Sequence, residues 1–460
     1  MKSIADIAAE LQGYDPQALS ADAVGDFLAR LVAPVAESEE VRILDALGRV
    51  LAEDIVSPIS VPPHDNSAMD GYAFDGAQLG ANAPLELEVV GTALAGKAWQ
   101  GHCGAGQCVK IMTGAIMPAA LDTVVPQEFA SVRVDPSPVR PEPVSPVRPE
   151  PVEGPASTGS ARTATKTVIT IPPGILRAGD NRRHKGEDLA EGKPALDKGE
   201  RLGPAACGLV ASLGLATVRV VRRLRVAYFS TGDEILSLGE PPREGAVYDS
   251  NRYTVHGLLV RLGCEVIDLG VVRDEPSHLE AAFRHAAARA DAIITSGGVS
   301  VGEADFTKAM MKQLGDVAFW KVAMRPGRPM AVGRISSASS GHAGAVLFGL
   351  PGNPVAVMVT FLAFVRPALL RMMGARDTSA PLLKARSAQA MRKKPGRTEY
   401  QRGIVTAQAD GVLQVRTTGN QGSGVLSSMV QANGLIVLHH GQGDVAPGDE
   451  VDVMMFEGAI

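Results

Sequence analysis

The chain is 460 residues long, balances 45 Lys and Arg against 50 Asp and Glu, is 45% hydrophobic, and carries 50 Gly and 31 Pro. That length exceeds what one hydrophobic core holds, so about two to four domains are expected; the Gly and Pro content predicts a mixed α/β chain rich in turns. A net charge of -5 offers no clustered basic surface for a nucleic acid backbone, so nucleic acid is not expected as a partner.

The first residues carry acids and lack the apolar core and small-residue cleavage site of a secretory signal. No apolar run is expected to reach membrane-spanning length. Cys103, Cys108, Cys207 and Cys264 are scattered and form neither a CxxC pair nor a metal pattern with histidine. A reducing cytoplasm is the expected compartment.

Val24, Phe27, Leu28 and Leu31 recur at helical spacing behind a Ser20 cap, which predicts a packing helix from Ser20 to Leu31. Between Val56 and Ile171 short β-type runs take over: Leu85 to Val90, Cys108 to Met112 and Thr167 to Ile171, with Gly and Pro turns between them. Inside this stretch SPVRPEPV occurs from Ser137 to Val144 and again from Ser145 to Val152. Proline-rich sequence of this kind lacks ladder donors and an apolar face, so about residues 134–165 are expected to be a disordered, tolerated loop insertion. A ligand for a proline-recognition domain is the second reading.

From Leu224 the chain alternates strand and helix patterns: Leu224 to Phe229, Val255 to Leu262, Cys264 to Leu269, His278 to Arg289 and Ala292 to Thr295. Ala345 to Gly349 and a helix after Pro354 complete the series. This order predicts a parallel sheet covered by helices on both faces. After Met373 short strands, among them Gly434 to His439 and Glu450 to Met454, predict a small β-barrel-like domain. The expected fold class is therefore multidomain α/β plus β.

In open α/β sheets, ligands collect in the loops that follow the strands. Four such loops look specialised. STGDE, Ser230 to Glu234, joins a flexible Gly232 to two carboxylates. SGGVSVGEADF, Ser296 to Phe306, has glycines that let backbone N–H groups approach an anion, and Glu303 and Asp305 suit a divalent cation. RPGRP, Arg325 to Pro329, sets two guanidinium groups on a stiffened backbone, an arrangement suited to a compact oxyanion. LPGNP, Leu350 to Pro354, opens a helix whose N-terminus favours negative charge. Singly, STGDE is more readily a turn and LPGNP a helix start, while the glycine-rich loop is evenly balanced; together, after successive strands, they point to a phosphate-bearing ligand. No Walker lysine motif is present. His64, His184, His439 and His440 lack metal spacing, and Met310 and Met311 are expected in a core helix.

DNSAMDGYA (Asp65 to Ala73), IMTGA (Ile111 to Ala115), GED (Gly186 to Asp188), STGDE, YDSN (Tyr248 to Asn251), SGGVSVGEAD, RPGRP and LPGNP together resemble the MoeA family of molybdopterin molybdenumtransferases. The α/β part also resembles the molybdopterin-binding unit of the pathway's adenylyltransferases and of gephyrin. The resemblance implies a homodimer with its cleft between subunits and four parts. These are an N-terminal dimerisation domain over 1–55 and 180–206, an inserted β-rich domain over 56–179, a molybdopterin-binding α/β domain over 207–374 and a C-terminal β domain over 375–460.

It further implies catalytic roles for Asp233 and, from the other subunit, Asp70, Thr113 and Glu187. Substrate-binding roles fall to Ser230, Gly232, Asp249, Asn251, Gly297, Gly298, Ser300 and Gly302. Asp305, then Glu303, would hold magnesium. Arg325, Pro326, Arg328, Pro329, Arg402, Ser423 and Ser427 would form the molybdate pocket. Two positions depart from the family pattern: His184 stands in a run that is commonly arginine, and Ala356 stands where a serine is frequent.

The implied reaction takes adenylylated molybdopterin, places molybdenum from molybdate on its dithiolene and releases AMP, with magnesium and no redox cofactor. Docking to a molybdopterin adenylyltransferase and to molybdoenzymes is also implied. A non-catalytic molybdopterin-binding scaffold and a nucleotide pyrophosphatase on the same α/β unit remain as alternatives.

Overall fold

The structure is a computed structural model that describes residues 3–135, 166–299, 306–336 and 344–457. The proline-rich repeats fall outside the described residues, as do Ser300, Gly302, Glu303 and Asp305. By its internal contacts the chain divides into two units: residues 1–54, 196–211 and 215–460, and residues 55–195 with 212–214. Residues 180–195 thus group with the β-rich segment.

The first unit is built on a six-stranded sheet in the order Glu265–Val272, Arg225–Thr231, Ala292–Ser296, Ala345–Leu350, Pro329–Ile335, Gly315–Lys321. The first four strands, those expected from the sequence, run parallel as expected; two further strands that no sequence pattern announced pair antiparallel at one edge and make the sheet mixed. The reason is connection length: seven residues link Lys321 to Pro329, enough to reverse the chain but too few for a crossover. The central strands Ala292–Ser296 and Ala345–Leu350 are buried at every residue, as expected of strands covered on both faces. Alternate side chains feed two cores. Tyr228, Ile294 and Phe348 pack with Val255, Leu259 and Phe361, while Phe229, Ile293 and Leu347 pack with Leu279, Phe283 and Met311.

Helix Ala21–Leu31 is capped by the Ser20 hydroxyl, which accepts from Ala23 N at 3.2 Å. Its Phe27 meets Trp320 edge-on at 4.8 Å, which docks the helix on the antiparallel edge of the sheet. Helix Ser250–Leu262 ends on Gly263 at φ 90°, a left-handed stop that glycine adopts without strain. Residues Pro354–Met372 form one helical run of 19 residues, long and apolar enough to cross a membrane, which corrects the expectation that no run reaches that length. It is 78% buried in the unit's own core. Its middle, Phe361–Val365, is a π-helical turn just before Pro367, which has no N–H to give the preceding turn.

In the C-terminal part, Thr398–Ala407, Leu413–Thr417, Leu382–Ser387, Glu450–Met455 and Gly434–Leu438 pair in succession, and the last pairs back on the first, closing a five-stranded barrel. Val415, Ile436, Leu438 and Val453 fill it.

The second unit holds a six-stranded sheet in the order Thr123–Pro126, Gly71–Phe74, Gln107–Ile111, Leu85–Ala93, Lys166–Ile171, Ser131–Asp135. A Cβ on Gly71 would lie 1.9 Å from the Val125 carbonyl oxygen, so only glycine lets these two strands approach. Val134 and Asp135, expected in the insertion, are instead the last two residues of strand Ser131–Asp135.

Candidate functional site

A cavity of about 1070 Å³ opens where the parallel strands of the first unit end. Each strand contributes its following loop: Thr231, Gly232 and Glu234 after Arg225–Thr231, Asp274 after Glu265–Val272, Ser296, Gly297 and Gly298 after Ala292–Ser296, and Pro351 to Pro354 after Ala345–Leu350. The YDSN segment, RPGRP and residues Gln421 to Gly424 close the rest. This is where a doubly wound sheet presents its strand-end dipoles and loops to a ligand.

Two glycines bring the strand ends together. A Cβ on Gly297 (φ +90°) would lie 2.3 Å from the Thr231 carbonyl oxygen, and one on Gly298 (φ +65°) would lie 2.6 Å from Thr307. Beneath them Tyr228, Ser230 and Ser296 form a closed hydroxyl triangle, with oxygens 2.8, 2.7 and 3.1 Å apart. Burial pushes the Tyr228 phenol well above its ordinary pKa, reinforced by the Asp249 charge, so it remains a neutral brace. Ser296 reaches the cavity, while Ser230 is buried behind it.

The YDSN segment is held by its own hydrogen bonds. Asp249 caps helix Ser250–Leu262, its Oδ1 accepting from Arg252 N at 3.1 Å. Asn251 donates from Nδ2 to the Gly352 carbonyl at 2.7 Å. Among the described residues the other oxygens, Asp249 Oδ2 and Asn251 Oδ1, are buried without a partner, as is Thr231 Oγ1. All three residues line the cavity. A buried polar atom without a partner is uncommon and costs about 1 to 3 kcal/mol.

Arg325 and Arg328 both line the cavity and are exposed, and their guanidinium groups have no hydrogen bond or ion pair among the described residues. Their spacing is fixed by the backbone. Met324–Arg325 pairs in parallel with Thr398–Glu399 of the C-terminal part, and Pro329 begins the strand Pro329–Ile335. Between them Gly327 lies at φ +96°, with room for a Cβ denied by Thr360 Oγ1 at 2.5 Å.

Arg402 takes a different place. It is 1% exposed, does not line the cavity, and donates to Ser428 Oγ at 3.0 Å and to the Asn420 and Gly422 carbonyls at 3.2 and 2.9 Å. Burial, and then the Arg325 charge, disfavour its protonated form. It braces the loop that lines the cavity from behind. Ser423 lines the cavity, but Ser427 is exposed and does not. Asp233 is likewise exposed and outside the lining, its carbonyl accepting from Arg243.

Asp70, Thr113 and Glu187 belong to the second unit. Thr113 donates from its backbone N and its hydroxyl to Asp70 Oδ1 at 2.7 and 2.8 Å, and these bonds, the backbone one first, hold the Asp70 carboxyl below its ordinary pKa. Glu187 accepts from His184 N at 2.8 Å. Nearby, Asp65 accepts from Lys185 N at 2.7 Å and pairs with Arg182, and Asp65, Asp122 and Arg182 line a cavity of about 330 Å³.

Sequence reasoning missed Asp274 and Gln421. Asp274 lines the cavity and accepts from Thr307 Oγ1 at 2.9 Å. It follows strand Glu265–Val272 by two residues, and an acid just past a strand was the signal available. Gln421 arrives from the C-terminal part by tertiary packing, and no local pattern marks it.

Residues 19–214 match the family described as MoeA N-terminal region (domain I and II). Residues 227–371 match a probable molybdopterin binding domain, and residues 384–456 the MoeA C-terminal region (domain IV). A molybdopterin molybdenumtransferase of Haemophilus influenzae is 38% identical over 421 residues, covering 91% of this chain and 94% of that protein. One of Bacillus subtilis is 32% identical over 423 residues, covering 91% and 90%. Among solved structures, a molybdopterin biosynthesis MoeA protein from Pyrococcus horikoshii OT3 superposes with a TM-score of 0.74 at 24% identity, covering 96% of this chain and 100% of that one.

Proposed function

The chain belongs to the MoeA family of molybdopterin molybdenumtransferases, and from that membership we propose that it inserts molybdenum from molybdate into adenylylated molybdopterin, releasing AMP and leaving the molybdenum cofactor. The observation that carries this reading is the strand-end cavity, where the Arg325 and Arg328 guanidinium groups have no partner among the described residues and share the lining with Gly297 and Gly298. A site that keeps two guanidinium groups unpaired suits an anionic ligand.

Arg325 and Arg328, on either side of Pro326 and Gly327, hold molybdate as a dianion beside the dithiolene. Ser423, from the loop braced by Arg402, faces the same space. Gly297 and Gly298 let backbone approach the phosphates closely. Magnesium fits the oxygen-only side chains Glu234 and Asp274 on the lining, and Asp305 with Glu303 are its proposed ligands. When bound it offsets charge on the pyrophosphate as the bond to AMP breaks. Asp70, Thr113 and Glu187 act from the second copy of a homodimer, with Asp70 fixed as an ionised carboxylate. The cytoplasm is the proposed compartment.

The test is to incubate the purified chain with adenylylated molybdopterin, magnesium and molybdate, measuring AMP and cofactor together. Equal yields of both are expected. AMP without molybdenum insertion would replace the reading with a nucleotide pyrophosphatase, and binding without AMP release would replace it with a scaffold.

A further inference from the structure

Thr307 is fully buried and stands outside the cavity lining, so a ligand in the cavity does not touch it. It touches two residues that do line the cavity. Its hydroxyl donates to Asp274 Oδ1 at 2.9 Å, and its carbons fill the space over Gly298, where a Cβ would lie 2.6 Å from Thr307 Cβ and Cγ2. Asp274 follows strand Glu265–Val272 and Gly298 follows strand Ala292–Ser296, two strands that Arg225–Thr231 separates in the sheet. One buried side chain thus ties together two strand-end loops.

Thr307 is well placed to act as a fixed point. It is the second residue of helix Phe306–Leu314, whose Met310, Met311 and Leu314 pack in one core with Leu279 and Phe283 of helix Pro276–Arg289. A β-branched side chain has few χ1 choices. Asp274 lies in the short segment between Val272 and Pro276 and is half-buried, and a carboxylate there has several rotamers open to it until a bond selects one. The plain alternative is a core threonine that satisfies its own hydroxyl, for which any backbone carbonyl would serve. The partner observed is a cavity carboxylate.

We propose that Thr307 is a positioning residue for the reaction, its hydroxyl holding the Asp274 carboxylate in the orientation that serves the magnesium-bound substrate and its methyl group serving only to pack on Gly298. The proposal rests on the reading given above, in which Asp274 is one of the oxygen-only side chains of the lining that suit magnesium. Carboxylates that bind metals are themselves held by hydrogen bonds from behind, and losing such a partner costs about 10- to 100-fold in metal affinity.

The two arms of the side chain are separated by substitution. Thr307→Val keeps the shape and removes the hydroxyl, whereas Thr307→Ser keeps the hydroxyl and removes the methyl group. The full-length protein is titrated with Mn2+ in the presence of AMP, read by electron paramagnetic resonance, and the magnesium needed for half-maximal AMP release from adenylylated molybdopterin is measured alongside. Thr307→Val is expected to weaken Mn2+ binding and raise the magnesium requirement by about tenfold or more, with the KM for adenylylated molybdopterin at saturating magnesium unchanged. Thr307→Ser should stay close to wild type in both. In an Asp274→Asn background, Thr307→Val should add less than about twofold, because its effect runs through that carboxylate. Should Thr307→Val not fold, Thr307→Ala is compared with Thr307→Ser in its place.

Equal losses in the valine and serine variants overturn the proposal, as does an undiminished loss in the Asp274→Asn background or a wild type that does not bind Mn2+. If wild type releases AMP and binds Mn2+ while Thr307→Val matches it, only this inference fails. If wild type binds Mn2+ but releases no AMP, the molybdopterin reading fails, and the Mn2+ titrations of the variants still decide whether Thr307 positions Asp274.

Discussion

Around the cavity of the first unit, among the described residues, Asp249 and Asn251 each keep an oxygen without a partner, and Arg325 and Arg328 carry guanidinium groups with none. In the second unit the candidate acids are already engaged. Thr113 gives Asp70 two hydrogen bonds, and Glu187 takes the His184 N–H. Unpaired groups are retained where a ligand completes them, which is the reading proposed above for the two cavity arginines. Burial without a partner alone does not mark the site, since Arg182 Nε, Thr295 Oγ1, Arg334 Nε, Thr360 Oγ1 and His440 Nδ1 share it off the cavity among the described residues. The acids of the second unit are oriented in advance by their own loops and need no ligand to hold their geometry.

The comparison is broken most severely through Arg402, the arginine that lies behind the cavity's lining loop and, unlike Arg325 and Arg328, is fully hydrogen-bonded. Arg402→Ala strands the Asn420 and Gly422 carbonyls and empties a buried volume, so a loss of roughly 2 to 4 kcal/mol in denaturant unfolding is expected. A change within about 0.5 kcal/mol, typical of surface sites, would place Arg402 among the free arginines instead.

A smaller effect is expected at Gly327, which sets the spacing of the two free arginines. Gly327→Ala forces a side chain into φ +96° and against Thr360 Oγ1, at a cost of about 1 to 3 kcal/mol. The variant should need more molybdate, and adding Thr360→Ala should restore part of the loss by removing the blocking oxygen. No recovery in the double variant would show that the backbone conformation alone, and not the Thr360 contact, limits the loop.

The mildest test sharpens the other side. Thr113→Val removes the hydroxyl bond to Asp70 and leaves the backbone bond, so the Asp70 pKa should rise while staying under the ordinary value of 3.8. Because the folded carboxyl titrates below its unfolded value, the stability it contributes is complete above pH 3.8 and is lost as pH falls through the folded pKa. In the variant the loss begins at the same pH but is smaller and is complete at a higher pH. Carboxyl carbon-13 titration reads it directly, and an unchanged pKa would mean the hydroxyl plays no part.

The sheet order of strand and helix was legible because central strands such as Ala292–Ser296 are apolar throughout and the helix from Ser250 carries its own cap. The antiparallel pair at the edge was not, since Gly315–Lys321 and Pro329–Ile335 differ from parallel strands in the length of their connection and hardly in their residues. At the site, loops with glycine and proline announced themselves: Gly297, Gly298, Arg325 and Arg328 do line the cavity. Arg402 shows the limit of that reading. An arginine in sequence looks free, and only the fold reveals the two carbonyls and the hydroxyl that occupy it. Gln421 illustrates the converse, an unmarked polar residue carried to the cavity by the packing of the C-terminal part.

The central claim, that the unpaired groups of the strand-end cavity are there for the substrate, is tested most directly by titrating molybdate against Arg325→Ala and Arg328→Ala while adenylylated molybdopterin affinity is measured separately. Loss of a direct oxyanion contact is worth roughly 1.5 to 3 kcal/mol, against about 0 to 1 kcal/mol for a surface ion pair. The account predicts that half-saturating molybdate rises about tenfold or more in each variant with pterin-nucleotide affinity unchanged. A molybdate requirement equal to wild type in both would contradict it and move the oxyanion pocket elsewhere.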